Sequence, residues 1–158
     1  GYGLGVGSSV VSGVLNEVYF KEKKTLDDQL ILRPFPLGKI DEGSWHQYRK
    51  DMIAYTGISI FLLGNKVDKQ TKKIILSNGM DDEYNISKDF GNILIPIGAT
   101  GYKAKEYWDK ENARVLKNES PPYSDEDKQE LFQQIGNDQL SFEDLKDAIV
   151  KLVKLFNK

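Results

Sequence analysis

The sequence contains no cysteine. That excludes a disulfide framework and any thiolate-held metal centre, and it suits a reducing cytoplasm, the expected location. His46 is the single histidine, which rules out a His-rich metal cluster or a chain of imidazole relays. No apolar run approaches the roughly 20 residues of a membrane-spanning helix. Neither sign of charge dominates: 22 Lys and Arg face 24 Asp and Glu, a formal net of −2. No global basic field is therefore available to attract nucleic acid. Internal repeats and low-complexity segments are also missing. What remains is an ordinary globular composition, 39% hydrophobic and 29% charged over 158 residues. It is enough for one domain, residues 1–158, with a real core.

The most informative stretch is Gly1-Tyr2-Gly3-Leu4-Gly5-Val6-Gly7-Ser8-Ser9. Four alternating glycines give way to two hydroxyls and then to a helical-looking run, Ser8 to Lys21. A glycine loop feeding a helix N-terminus is an anion site, because unpaired N–H groups converge there and the helix dipole favours negative charge. Lacking Cβ atoms, the loop lets a phosphate approach the backbone closely. The pattern points to a phosphorylated, nucleotide-like ligand. Its spacing is not the dinucleotide fingerprint G-x-G-x-x-G, which also requires a preceding strand. The expectation is that a first strand lies just ahead of residue 1; the alternative is a Gly-rich end with no ligand.

Three apolar runs read as buried parallel strands: Gln29 to Arg33, Ile58 to Leu63, and Asn92 to Ile97. Helical patterns alternate with them. Ser44 to Tyr55 carries Trp45, Tyr48, Met52 and Tyr55 at helical spacing, and Asp81 to Phe90 is a shorter helix. Tyr102 to Leu116 follows the last strand. Ser124 is expected to cap a further helix, and Ser141 the last one, Phe142 to Phe156, whose stripe of Leu145, Ile149, Leu152, Val153 and Phe156 faces the core. The fold class is α/β: a Rossmann-like, doubly wound, mainly parallel sheet flanked by helices, with a helical C-terminal tail.

In open α/β sheets ligands sit beyond the carboxyl ends of the strands. Those ends carry Arg33-Pro34-Phe35-Pro36, Gly64-Asn65-Lys66 and Pro96-Ile97-Gly98-Ala99-Thr100-Gly101. With the first glycine loop, four segments are expected to converge on one crevice. Arg33 reads as a guanidinium fork for a phosphate, ahead of a structural ion pair. Phe35 either stacks on a base or covers the core. Of Arg49 and Lys50, one reaches the pocket and the other is solvated. Asn65 and Lys66 hold a ribose hydroxyl or phosphate, or simply make a turn. Glu83 accepts ribose hydroxyls or serves only as helix N-terminal charge. Gly98, Ala99, Thr100 and Gly101 form a second anion loop, with the Thr100 hydroxyl on a phosphate. His46 has no chemistry assigned. There is no nucleophile elbow, metal cluster or paired carboxylate at a strand end, so no catalytic residue, metal or cofactor is expected.

The combination of Gly5-Val6-Gly7-Ser8-Ser9, Ile31-Leu32-Arg33-Pro34-Phe35-Pro36, Tyr48-Arg49-Lys50-Asp51-Met52 and Gly57-Ile58-Ser59-Ile60-Phe61-Leu62-Leu63-Gly64-Asn65-Lys66 resembles the C-terminal SLOG domain of the Thoeris anti-phage defence effectors. The resemblance spans roughly the first two-thirds of the chain. It implies a sensor without activity of its own. A TIR-domain partner would supply a cyclic ADP-ribose isomer, the 3′-linked form being favoured. Its binding would activate a sirtuin-like, NAD-cleaving domain N-terminal to this one, in a homo-oligomer. Arg33 and Lys50 match the family's basic ligand contacts, and Gly7-Ser8-Ser9 and Gly98-Ala99-Thr100-Gly101 its phosphate loops; Gly64, Asn65, Lys66 and Glu83 complete the expected set. Nucleotide-cleaving enzymes of the wider superfamily carry P-G-G-x-G-T-x-x-E. Here Pro96-Ile97-Gly98-Ala99-Thr100-Gly101-Tyr102-Lys103 breaks the glycine pair and supplies no Glu, which favours binding over a phosphoribohydrolase-like activity. A purely structural oligomerisation module is the third class.

Overall fold

The computed structural model describes residues 6–21, 30–33 and 41–157. The chain falls into two compact units, Gly1–Met52 and Ile53–Lys158.

In the first unit, α1 (Val6–Asn16) runs on into a π-helical turn, Glu17–Lys21, close to the expected helix from Ser8. Then α2 (Glu42–Ile53) begins two residues before Ser44. The reason is Asp41, whose carboxylate accepts the Ser44 amide at 2.9 Å and the Ser44 hydroxyl at 2.7 Å, as an N-cap does. Those bonds, the hydroxyl's first, hold the exposed Asp41 carboxyl below its ordinary pKa. Residues 30–33 form no strand, and Ile31 and Leu32 are 75% and 50% exposed. The run Gln29 to Arg33 is apolar enough for a buried strand, but a strand needs a ladder partner and none pairs with it among the described residues. Gln29 lies outside them.

In the second unit, β1 (Ile58–Phe61) is followed by β2 (Asn65–Val67), β3 (Ile74–Leu76), α3 (Asn78–Asp89) and β4 (Ile93–Pro96). Strands β1 and β4 pair in parallel, from Ile58 opposite Ile93 to Phe61 opposite Pro96. Strands β2 and β3 form a separate antiparallel hairpin, which the sequence pattern does not announce. Its turn is built by Asp68, which accepts the amides of Gln70 (3.1 Å) and Thr71 (2.6 Å) and the Thr71 hydroxyl (2.8 Å). After β4 come α4 (Tyr102–Val115), a 3₁₀ turn at Pro121–Tyr123, α5 (Glu126–Gln134) and α6 (Phe142–Phe156). The α/β class with a parallel sheet flanked by helices and a helical tail is as expected.

Side-chain alternation along β4 divides the core. Leu94 joins Phe61, Tyr84 and Tyr107. Ile95 and Ile97 join Trp108, Val115, Tyr123, Phe132, Ile135, Ala148 and Leu152, with Leu145, Ile149, Val153 and Phe156 packed against them. The stripe of α6 is therefore core, as its spacing implies. Ser141 caps α6 by accepting the Asp144 amide at 3.1 Å. For α5 the cap is Asp125 rather than Ser124: its carboxylate accepts the amides of Asp127 and Lys128, which a side chain one residue earlier is poorly placed to do.

Candidate functional site

The carboxyl ends of β1 and β4 lie side by side, and each turns through two consecutive left-handed residues. After β1 these are Leu63 (φ 57°) and Gly64 (φ 87°); after β4 they are Gly101 (φ 75°) and Tyr102 (φ 53°). The two non-glycine residues cost on the order of 1–3 kcal/mol each, so the surroundings must hold them. Thr100 does much of this. Its hydroxyl accepts the Leu63 amide at 2.9 Å and donates to the Ile97 carbonyl at 2.7 Å, clasping both strand ends. The Ala104 amide, in the first turn of α4, donates to Leu63 O at 3.0 Å.

The turn at Gly98–Thr100 uses its own donors. Ala99 N–H donates to Ile135 O (2.9 Å), Thr100 N–H to Ile97 O (3.0 Å) and Gly101 N–H to Gly98 O (3.0 Å). The amides without an acceptor among the described residues come slightly later, at Tyr102 and Lys103. Together with the helix dipole they make the α4 N-terminus the part of this edge with donors open to an anion. The Lys103 ammonium is bonded to Glu106 at 2.9 Å and to Asp81 at 3.1 Å. Those two bonds, Glu106 first, raise its pKa. Gly64 allows the close approach: a Cβ there would lie 2.3 Å from Met80 Sδ and 2.6 Å from Lys103 Cβ.

Behind this edge a hydrogen-bonded and stacked chain crosses the unit. Tyr107 donates to Asp81 at 2.8 Å, and Tyr84 donates to Glu111 at 2.5 Å. The two rings stack at 4.2 Å, with Phe61 edge-on to both at 5.6 Å. Burial first, and then the carboxylate partner, pushes both phenols well above their ordinary pKa; burial does the same to Tyr123. The unfolded chain ionises its tyrosines near pH 10 while these three stay neutral. Folding stability from them is thus full below about pH 10 and falls as pH rises through the unfolded value. A titration followed at 295 nm is expected to show Tyr84, Tyr107 and Tyr123 resisting ionisation until the protein unfolds. Ionisation of all eight tyrosines near pH 10 in the folded state would contradict it.

The structure brings together the segments after β1 and β4, two of the four expected to converge. Asn65 and Lys66 stand in β2, opposite Leu76 and Ile75, with Lys66 exposed. Glu83 lies on α3, half-buried. The remaining candidates belong to the first unit. Gly7, Ser8 and Ser9 occupy the opening turn of α1, where the helix itself supplies no acceptors for its amides. Arg33 is exposed. Lys50 is exposed in the last turn of α2, while the neighbouring Arg49 packs over the Trp45 ring at 5.6 Å; of the pair, Lys50 is the solvent-facing cation. His46 is exposed. Phe35 and residues 1–5 lie outside the described residues. Sequence reasoning missed Lys103, although a lysine two residues beyond a strand-end glycine turn was a usable signal. Among the described residues there is no cluster of His, Cys, Asp or Glu fit to hold a metal, and no helix is long and apolar enough to cross a membrane.

The chain is similar to the NAD(+) hydrolase ThsA of Bacillus cereus (strain MSX-D12), 45% identical over 157 residues, with 99% of this chain and 32% of the relative covered. It is also similar to the NAD(+) hydrolase ThsA of Acinetobacter baumannii (strain 532279), 34% identical over 169 residues, with 100% of this chain and 32% of the relative covered. A third, the NAD(+) hydrolase ThsA of Cytobacillus dafuensis, is 40% identical over 131 residues, covering 79% of this chain and 25% of the relative. The chain thus spans at most about a third of the length of these curated relatives. A family model, the Sir2- and TIR-associating SLOG family, matches residues 1–156. The chain belongs to this family.

Proposed function

We propose that this chain is the sensing domain of a bacterial anti-phage effector. It binds a cyclic ADP-ribose isomer, the 3′-linked form by preference, that a TIR-domain partner makes in the cytoplasm. Binding switches on an NAD-cleaving domain carried elsewhere in the longer protein. The observation that carries this reading is the match of nearly the whole chain to a Sir2- and TIR-associating SLOG family, with NAD(+) hydrolases about three times its length as relatives.

The geometry supports a binding role. In the second unit the helix N-terminus at Tyr102-Lys103 is suited to a phosphate; the sequence pattern assigns Gly7-Ser8-Ser9 to the other phosphate and Arg33 and Lys50 as counter-charges. Phe35, Asn65, Lys66 and Glu83 are assigned to the base and riboses. Gly64, Gly98, Ala99, Thr100 and Gly101 shape the strand-end wall. A cyclic ligand is rigid, so little of its own entropy is lost on binding, and small differences in wall position discriminate isomers. Preference for one packing of a homo-oligomer turns binding into activation.

The enzymatic alternative requires a free carboxylate at this edge. Asp81 is held by Lys103 and Tyr107. Counted from Pro96, the Glu position of the nucleotide-cleaving motif is Ala104, fully buried. Incubation of the chain with AMP, ADP-ribose and the 3′-linked isomer, followed by chromatography, is expected to return all three intact. Release of a base or a ribose phosphate would overturn the sensor reading in favour of a phosphoribohydrolase-like enzyme.

A further inference from the structure

At the other end of the second unit, where β4 begins, a half-open cavity of about 260 Å³ is lined by Lys88, Gly91, Asn92, Leu94, Glu111, Arg114, Ser120, Pro122 and Tyr123. It faces away from the strand ends assigned to the nucleotide and is built from other residues. The Tyr123 hydroxyl donates to Leu94 O at 2.6 Å, pinning the far wall to β4. Pro122, Tyr123 and Leu94 make that side apolar.

The polar side is donor-rich. Glu111 is only 3% exposed, and both its oxygens are occupied, by the Tyr84 hydroxyl (2.5 Å) and Arg114 Nη1 (2.7 Å). The Arg114 guanidinium also donates to Glu119 O at 3.2 Å. A guanidinium has five N–H donors, so these bonds use only part of its capacity. The Lys88 ammonium has no ion-pair partner among the described residues. Ser120 is 5% exposed, yet its hydroxyl has no hydrogen-bond partner among the described residues. The hydroxyl keeps contact with solvent, since Ser120 Oγ is not among the buried polar atoms that lack a partner, and it is available to donate to a ligand in the cavity.

Lys88 and Arg114 also stand in the last turns of α3 and α4, where cations compensate helix dipoles. Compensation explains their positions; it explains neither the cavity nor the open Ser120. It does restrict the ligand. Two helix C-termini and the buried Glu111 carboxylate in the wall oppose a doubly charged phosphate, whereas a single negative charge is balanced by Lys88. The volume falls just short of the ~300–1,000 Å³ of drug-sized pockets.

We propose that this cavity is a second binding site, for a small monocarboxylate whose carboxyl group meets Lys88, Arg114 and the Ser120 hydroxyl and whose apolar body lies on Pro122 and Tyr123. Benzoate is a suitable probe, with inorganic phosphate alongside, followed by amide chemical shifts of the ¹⁵N-labelled chain. Benzoate is expected to shift the amides of Gly91, Asn92, Arg114 and Ser120 saturably, and phosphate to leave them in place. Lys88→Ala, at an exposed position that keeps the fold, should weaken benzoate about tenfold through loss of one charge-assisted contact, and Lys88→Arg should restore most of it. Unmoved amides, an equal response to phosphate, or unchanged affinity in Lys88→Ala would each overturn the assignment.

Discussion

Charge reversal at Arg33 is expected to weaken binding of the 3′-linked cyclic ADP-ribose isomer by more than about 100-fold. A guanidinium fork on a phosphate makes two charge-assisted hydrogen bonds, each contributing roughly 1.5–3 kcal/mol, and every 1.4 kcal/mol is about tenfold in affinity. Arg33→Glu removes both bonds and sets a carboxylate against the phosphate. Arg33→Lys keeps the charge but loses the planar fork, so an intermediate loss is expected. Arg33 is exposed, and a thermal melt of each variant checks that it remains folded. Lys50→Ala removes one ammonium contact and should lower affinity about tenfold. Calorimetry on the variants checks this. Wild-type affinity in Arg33→Glu would remove Arg33 from the site.

The second large effect is on stability. Gly136→Ala should cost about 3 kcal/mol, at the upper end of overpacking penalties, because its Cβ would stand 2.1 Å from Trp108 Cε2 and 2.2 Å from Cζ2. The indole cannot easily withdraw. Its N–H donates to Phe132 O at 2.9 Å, its ring stacks on Phe132 at 5.7 Å, and on its other flank a Cβ at Gly98 would lie 2.7 Å from Cγ. Trp108 is threaded between two glycines, and Gly98→Ala is expected to be similarly harmful. Against a typical total of 5–15 kcal/mol, either change is large. Urea unfolding measures it, and a double-mutant cycle identifies the cause. Trp108→Phe removes the atoms that the Gly136 Cβ would meet, so the double variant should lose much less than the sum of the singles. Strict additivity would show that the clash is not the mechanism. Ala99 bonds to Ile135, next to Gly136, so the same packing holds the strand-end turn in place.

Legibility in the sequence followed how local the determining interactions are. Helix α6 coincides with its expected span, Phe142 to Phe156, because a capping serine, an early acidic turn and a strong apolar stripe all lie within it. Strands β1 and β4 were recognisable as short apolar runs between turn residues. The β2–β3 hairpin was not: its strands are three residues each, and the turn depends on Asp68 folding back on Thr71, inside a lysine-rich stretch that reads as plain loop. The run Gln29 to Arg33 misled in the opposite sense, since apolar character cannot say whether a ladder partner exists. At the candidate site, glycines marked the turns at Gly64 and Gly101, which the fold sets after the paired ends of β1 and β4. The assignment of individual donors depends on tertiary contacts. Thr100 looks like a phosphate ligand in sequence; in the fold its hydroxyl bridges Leu63 and Ile97. The open amides fall at Tyr102 and Lys103, just past the glycine turn at Gly101.

Isothermal titration calorimetry of the chain against the 3′-linked cyclic ADP-ribose isomer, with the 2′-linked isomer, ADP-ribose and NAD as comparisons, tests the sensor assignment most directly. The assignment predicts stoichiometric, selective binding of a cyclic isomer, with the 3′-linked form tightest and the linear nucleotides far weaker. Absence of heat with both cyclic isomers, or equal binding of the linear ones, would contradict it.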